Sequence, residues 1–218
     1  MKKDKIGLFG GTFNPIHSGH IKAAEVVQKV FVLDRVLFIP SFIPPHKESE
    51  DILSPGLRLK MVELAVGDNP QFIASPIEVE ARVKSYSILT LQKINALYPG
   101  ASVFFILGVD AFLEIDTWKD YEEVMERCFF VVISRKGYNL EDAKKVLNES
   151  DTKTMYTLSP NEEARNNLLD SHTIFLLPFE AVDVASTEIR ERSRKKQSIK
   201  GLVPGPVADF ITKNKLYQ

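Results

Sequence analysis

A short apolar run, Ile6-Gly7-Leu8-Phe9, passes without a break into Gly10-Gly11-Thr12-Phe13-Asn14-Pro15-Ile16-His17-Ser18-Gly19-His20, and then into a helix-like stretch from Ile21 to Val32. A second apolar run, Arg35-Val36-Leu37-Phe38-Ile39-Pro40, follows and stops at a proline. Strand, glycine-rich turn, helix and strand at this spacing make a βαβ unit. Its strands run parallel and its crossover is right-handed. The chain is thereby expected to be an α/β protein with a largely parallel sheet.

The turn itself is a candidate site. A strand leading through glycines into a helix presents backbone N–H groups and a positive helix end to an anion. Gly10 and Gly11 carry no Cβ and let a ligand approach the main chain, and Gly19 does the same beside two imidazoles. His17 and His20 lie three residues apart, so a helix beginning near them turns both towards one site. The Walker loop is excluded because no Gly-Lys-Ser/Thr follows Gly11, and the dinucleotide fingerprint G-x-G-x-x-G is missing. A catalytic zinc needs three protein ligands, and no Cys or carboxylate accompanies this i, i+3 pair. A nucleotide-phosphate site is the reading that remains, against a loop with two solvent-facing histidines.

Gly-Gly-Thr-Phe-Asn-Pro-Ile-His-x-Gly-His resembles the (T/H)xGH signature of the nucleotidyltransferase superfamily, and the full form is most similar to bacterial nicotinate-nucleotide adenylyltransferases. The resemblance implies a single Rossmann-like domain over 1–218, a parallel sheet with helices on both faces and a small C-terminal helical part over 186–218. Gly10, Gly11, Thr12, Phe13 and Gly19 would then bind ATP, with His17 and His20 on the phosphates.

Later motifs carry the same likeness. Ile43-Pro44-Pro45-His46-Lys47 stands in a polar loop, where Pro-Pro stiffens the chain. The bland reading is an exposed loop. The match to the family's Pro-Pro-His-Lys implies that Lys47 reaches the nucleotide phosphates and that His46 lies on the acceptor side. Leu57 to Val66 reads as a well-buried helix; its Arg58 fits an arginine position of the family or, equally, a surface salt bridge. Phe72-Ile73 and Ile77-Glu78-Val79 read as strand pieces around Pro76. Ser85-Tyr86-Ser87 resembles the family's Ser-Tyr-Thr at a helix start, which faces the acceptor's pyridine carboxylate. Ser87 keeps the hydroxyl and loses the methyl, and Leu89 replaces a polar residue; as a bare feature, Ser-x-Ser before a helix (Ile88 to Tyr98) is an N-cap.

Ser102 to Leu107 is the clearest central strand, nearly continuous in apolar residues. It ends at Gly108-Val109-Asp110, which places a carboxylate on the ligand side of a parallel sheet or at the cap of the next helix. Gly-x-Asp matches the family, as does Trp118, which there packs on the pyridine ring; unaided, a lone tryptophan reads as core. Arg135 opens Arg-Lys-Gly after the strand from Phe129 to Ser134, where the family's Arg-x-Gly lies near ATP. Residues 138–171 carry no motif and read as an inserted helical pair, Leu140 to Leu147 and Glu162 to Leu169. After a strand over Thr173 to Leu177, Ser186-Thr187-Glu188-Ile189-Arg190 is close to the family's Ser-Thr-x-Ile-Arg. Ser186 and Thr187 can cap a helix and meet a triphosphate, and Arg190 adds a charged fork. Ala185 replaces a serine of the family pattern, and Ala208 to Tyr217 reads as a packed helix.

Composition bounds the alternatives. The 218 residues suffice for a sizeable core, and a formal net charge of −1 argues against a general nucleic-acid surface. The only cysteine, Cys128, sits in an apolar run and reads as a buried, inert thiol. Lys2-Lys3-Asp4-Lys5 leads straight into a strand with no signal-peptide core, and no apolar run approaches a membrane span, so a cytoplasmic location is expected. A homo-oligomer is left open. The resemblance implies an enzyme that joins ATP, with Mg²⁺, to nicotinate mononucleotide, giving deamido-NAD and pyrophosphate. Nicotinamide mononucleotide or phosphopantetheine as acceptor, a non-catalytic nucleotide-binding regulator, and a structural module are the rivals.

Overall fold

A computed structural model gives the fold. It describes residues 3–44, 51–147, 154–159, 162–164, 166–179 and 182–218. The strands are β1 (Lys5–Gly11), β2 (Arg35–Pro40), β3 (Phe72–Ala74), β4 (Ser102–Gly108), β5 (Phe129–Ile133), β6 (Met155–Thr157) and β7 (Ile174–Leu177), in one sheet of order β3-β2-β1-β4-β5-β7-β6. The pairings of β1 with β4, β4 with β5, β5 with β7 and β6 with β7 are all parallel. This is the doubly wound, Rossmann-like arrangement.

The chain divides into two compact units, each assembled from three stretches. The first comprises Met1–Phe9, Ala23–Val36 and Tyr86–Ala181. Its core is aromatic. Phe104 stacks on Phe129 at 5.0 Å, and Phe31, from helix α1 (Ser18–Phe31), meets both Phe104 and Phe175 at 5.2 Å. Within this unit α1 buries Ala23, Ala24, Val27, Val30 and Phe31, the i, i+3, i+4 stripe that drives an amphipathic helix onto a sheet. The interiors of β4 and β5 are buried on both faces, which is why they read as unbroken apolar runs.

The second unit comprises Gly10–Lys22, Leu37–Ser85 and Val182–Gln218. Its helices are α2 (Pro55–Val66) and the short α3 (Ile77–Ala81), with two more from the C-terminal stretch. Ser54 accepts the Leu57 N–H, and Pro55 opens α2 where a missing donor costs nothing.

Three expectations are corrected. Ile77-Glu78-Val79 is helical: β3 closes where the Ser75 N–H reaches the Phe38 carbonyl, and Glu78 and Glu80 favour the first turn of α3. Among its described residues, the 138–171 stretch does not form the expected helical pair. Leu140–Lys145 is a 3-10 helix, Met155–Thr157 adds an edge strand beside β7, and Asn166–Ser171 is α7, which follows α4 (Ser87–Leu97), α5 (Val109–Phe112) and α6 (Tyr121–Arg127) in the chain. Glu162 is instead tied to the Tyr156 hydroxyl and the Ser159 N–H, and the Ala164 N–H donates to the Val30 carbonyl. The C-terminal helices are α8 (Ser186–Arg194) and α9 (Gly205–Lys213), so α9 stops short of Tyr217. Among the described residues, no helix is long and apolar enough to cross a membrane.

Candidate active site

In the second unit the turn after β1 is built around aromatic contacts. Phe13, at φ 48° and 3% exposed, lies edge-to-face on His20 at 5.1 Å, and a side chain on Gly11 would come within 3.2 Å of its ring. The imidazoles of His17 and His20 stack at 3.6 Å with their planes 30° apart. Gly19 leaves room for that stack: a Cβ there would lie 3.1 Å from the His17 ring, tighter than an ordinary contact. Gly10, by contrast, faces open space. The His17 N–H donates to His20 Nδ1 at 3.2 Å, so Nδ1 holds a lone pair and Nε2 carries the ring proton. In this arrangement Nε2–H is the ring's hydrogen-bond donor.

The same turn is anchored by buried polar groups. Arg58 is 1% exposed and donates to four main-chain carbonyls: Nε to Leu53 at 2.9 Å, Nη1 to Thr12 at 2.7 Å, and Nη2 to Ser41 and Phe42 at 2.6 and 3.1 Å. The surface salt-bridge reading of Arg58 is overturned, because a side chain in the first turn of α2 meets three loop segments instead of solvent. Burial lowers its pKa, and the carbonyls replace the lost water as acceptors. Asn14, 5% exposed, donates to the Asp51 carbonyl at 2.9 Å and accepts from the Leu53 N–H at 3.2 Å and the Tyr217 hydroxyl at 3.1 Å. Burial pushes the Tyr217 phenol up, against the pull of the Arg190 and Arg58 charges, so it remains a protonated donor.

Helix α8 brings Ser186, Thr187 and Arg190 to the same turn. Ser186 is the first residue of the helix and not its cap, a position taken by Ala185 with no side-chain bond; the Ser186 hydroxyl donates to the Pro15 carbonyl at 2.9 Å. Arg190 donates through Nη1 to the Asn14 carbonyl at 3.0 Å and through Nη2 to Thr187 Oγ1 at 3.3 Å. Its buried Nε has no acceptor among the described residues. Ser85 Oγ accepts the Phe42 N–H at 2.8 Å and the Ser85 N–H donates to the Ile43 carbonyl at 3.0 Å, which pins Phe42 and Ile43 beside it. His46 and Lys47 lie outside the described residues.

The first unit holds the other expected site residues. Asp110 lies inside α5, so it caps no helix; Gly108 does, without a side-chain bond. The Asp110 carboxylate folds back so closely that a Cβ on Gly108 would meet it at 2.3 Å, and it pairs with Arg135 Nε at 3.5 Å. Trp118 is half-buried and packs edge-to-face on Phe105 at 5.7 Å. Tyr86 caps α4 through its backbone only and lies under the Lys119 ammonium at 5.1 Å, so neither Ser85 nor Ser87 is the N-cap. Cys128 has an enclosed sulfur although the residue as a whole is part-exposed, and burial pushes the thiol up. Among the described residues, no group of three or more His, Cys, Asp or Glu is gathered for a metal ion.

Asn14 and Tyr217 escaped the sequence reading as anchors. Asn14 stands inside the signature and only its neighbours drew notice, while nothing in Lys215-Leu216-Tyr217 signals a contact with residue 14.

Residues 8–192 match the family model described as cytidylyltransferase-like. A protein of Geotalea daltonii described as a probable nicotinate-nucleotide adenylyltransferase is 37% identical over 213 residues, spanning 98% of both chains. Its counterpart in Geobacter sulfurreducens is 38% identical over 213 residues, again with 98% of each chain covered. The nicotinic acid mononucleotide adenylyltransferase of Plasmodium falciparum, solved with NaAD, shares the fold at a TM-score of 0.71 and 16% identity, over 98% of this chain and 97% of that one. A signature turn, an ordered set of later motifs and full-length likeness agree: the chain belongs to the cytidylyltransferase-like family, among its nicotinate-nucleotide adenylyltransferases.

Proposed function

We propose that this protein transfers the adenylyl group of ATP to nicotinate mononucleotide, releasing pyrophosphate and forming deamido-NAD in NAD biosynthesis. The observation that carries the site assignment is the stacked His17–His20 pair on a turn that also holds Arg190. A phosphate oxygen of the acceptor attacks the α-phosphorus, and the bond to the β-phosphate's bridging oxygen breaks. That acceptor is already an anion at neutral pH, so the reaction needs no general base. It needs in-line placement and donors for the charge that develops on the leaving group.

His20 supplies such a donor through Nε2–H, with His17 beside it. Arg190 holds the β- and γ-phosphates, for which Nη1 and Nη2 each keep a second N–H. Lys47 shares that task. Gly10, Gly11, Thr12, Phe13, Gly19, Ser186 and Thr187 form the ATP side, with Gly108, Asp110 and Arg135 taking the nucleoside. His46, Ser85, Tyr86, Ser87 and Trp118 serve the acceptor. Mg²⁺ enters with ATP as part of the substrate and is held by the phosphates and water. A reaction that draws on ATP fits the cytoplasm.

The test is pyrophosphate release by the purified protein with ATP and Mg²⁺, with nicotinate mononucleotide, nicotinamide mononucleotide and phosphopantetheine compared side by side. The acid is expected to turn over fastest. A preference for the amide or for phosphopantetheine, or ATP binding without turnover on any acceptor, overturns the assignment.

A further inference from the structure

Tyr217 closes a ring of hydrogen bonds around the arginine assigned to the phosphates. Helix α8 contributes two of its bonds. Ser193, buried one turn beyond Arg190, donates its hydroxyl to the Leu216 carbonyl at 2.8 Å. Arg190 Nη1 donates to the Asn14 carbonyl at 3.0 Å. The third bond joins the two ends: Tyr217 Oη donates to Asn14 Oδ1 at 3.1 Å.

The backbone is shaped for this. After α9 the chain takes left-handed conformations at Lys215 (φ 50°) and Tyr217 (φ 66°), uncommon for non-glycine residues, and Leu216 is buried between them. The Leu216 N–H is spent on the Ile211 carbonyl. This segment is therefore a fixed strut whose phenol is aimed at residue 14. Asn14 in turn has no rotational freedom left, because its amide bonds Asp51, Leu53 and Tyr217 at once.

We infer that Tyr217 is a positioning residue for adenylyl transfer: by fixing Asn14 it sets the guanidinium of Arg190, and with it the donor that meets the leaving pyrophosphate. This rests on the reading of Arg190 given above. Tyr217 lies outside every motif of the sequence, since it acts through Asn14 and Arg190. Removing only its hydroxyl withdraws one neutral hydrogen bond from Asn14, so the loss is moderate. Because the leaving group gains charge as the reaction proceeds, it falls on kcat more than on KM.

The experiment is a double-mutant cycle on the full chain with Tyr217→Phe and Arg190→Ala, reading kcat and both KM values by pyrophosphate release. Tyr217→Phe is expected to lower kcat about three- to tenfold, with KM for ATP and for nicotinate mononucleotide within twofold. In the Arg190→Ala background the same substitution is expected to change kcat by less than twofold. Ser193→Ala, which loosens the strut from its other end, is expected to reproduce the Tyr217→Phe pattern. An undiminished kcat in Tyr217→Phe overturns the inference. So does an equal fold-loss with and without Arg190, which marks a general effect of packing. Near-normal turnover in Arg190→Ala alone overturns the phosphate role of Arg190 and leaves a separate signature, because Tyr217→Phe is then compared against an unimpaired background.

Discussion

A backbone N–H pointed at His20 Nδ1 decides what that side chain can do. It leaves Nε2 as the ring's donor nitrogen, and in the proposed reaction that donor is the one offered to developing charge. His20→Ala is expected to lower kcat by about 10²–10³-fold, the usual cost of losing one preorganised donor, while circular dichroism and the thermal midpoint stay close to wild type. Near-normal turnover in a folded His20→Ala protein sinks the mechanism. Arg58 answers to stability instead. Its four carbonyl acceptors are drawn from three loop segments, and with the side chain shortened these groups lose their partners in a dry environment. Arg58→Met is expected to cost about 3 kcal/mol or more in urea unfolding; a change below 1 kcal/mol contradicts the clamp.

At the scale of elements, the sheet was legible wherever burial on both faces imposes a continuous apolar run. Ser102 to Leu107 and Phe129 to Ser134 correspond closely to β4 and β5. Legibility failed where an element is too short for period to be meaningful. Ile77 and Val79 alternate like a strand, but three residues cannot distinguish strand from helix, and the acidic first turn of α3 prevailed. The edge strand Met155–Thr157 is three half-exposed or exposed residues whose pairing is determined by its neighbour β7 and not by its own pattern. The signature turn was readable as a site because its residue types are chemically rare together. Its supports were not, because Asn14 and Tyr217 are common residues made specific only by folding. The same logic applies at the start of α8. Ser186 spends its hydroxyl on the Pro15 carbonyl and not on the helix, so Ser186→Ala is expected to weaken the grip of α8 on the turn and to slow turnover about two- to tenfold, without the unfolding that a lost cap brings.

For the whole molecule, enclosed ionisable groups set how it responds to alkali. Burial raises the Cys128 thiol and the Tyr217 phenol in the native state. An exposed thiol ionises near about 8.5 and an exposed phenol near about 10. Above those values the unfolded chain releases protons that the native chain retains, so stability is complete below them and falls as pH rises, by up to about 1.4 kcal/mol per pH unit for each group. Chemical denaturation between pH 7 and 10 is expected to show this decline, and Cys128→Ala to flatten its first part; an unchanged slope in Cys128→Ala removes the thiol from the account. The thiol is also expected to resist thiol reagents until the protein unfolds.

The three bonds that brace the signature turn from Ser186, Arg190 and Tyr217 span 171, 176 and 203 residues of sequence. On the ribosome this separation becomes time. When residue 181 has been joined, the first unit has all three of its stretches and the second has only two. His17 and His20 wait for the stretch beginning at Val182, which at about 5–20 residues per second takes on the order of seconds to be added. The nascent polypeptide therefore carries its histidines long before it can adenylylate anything, and competence waits for the third stretch of the second unit.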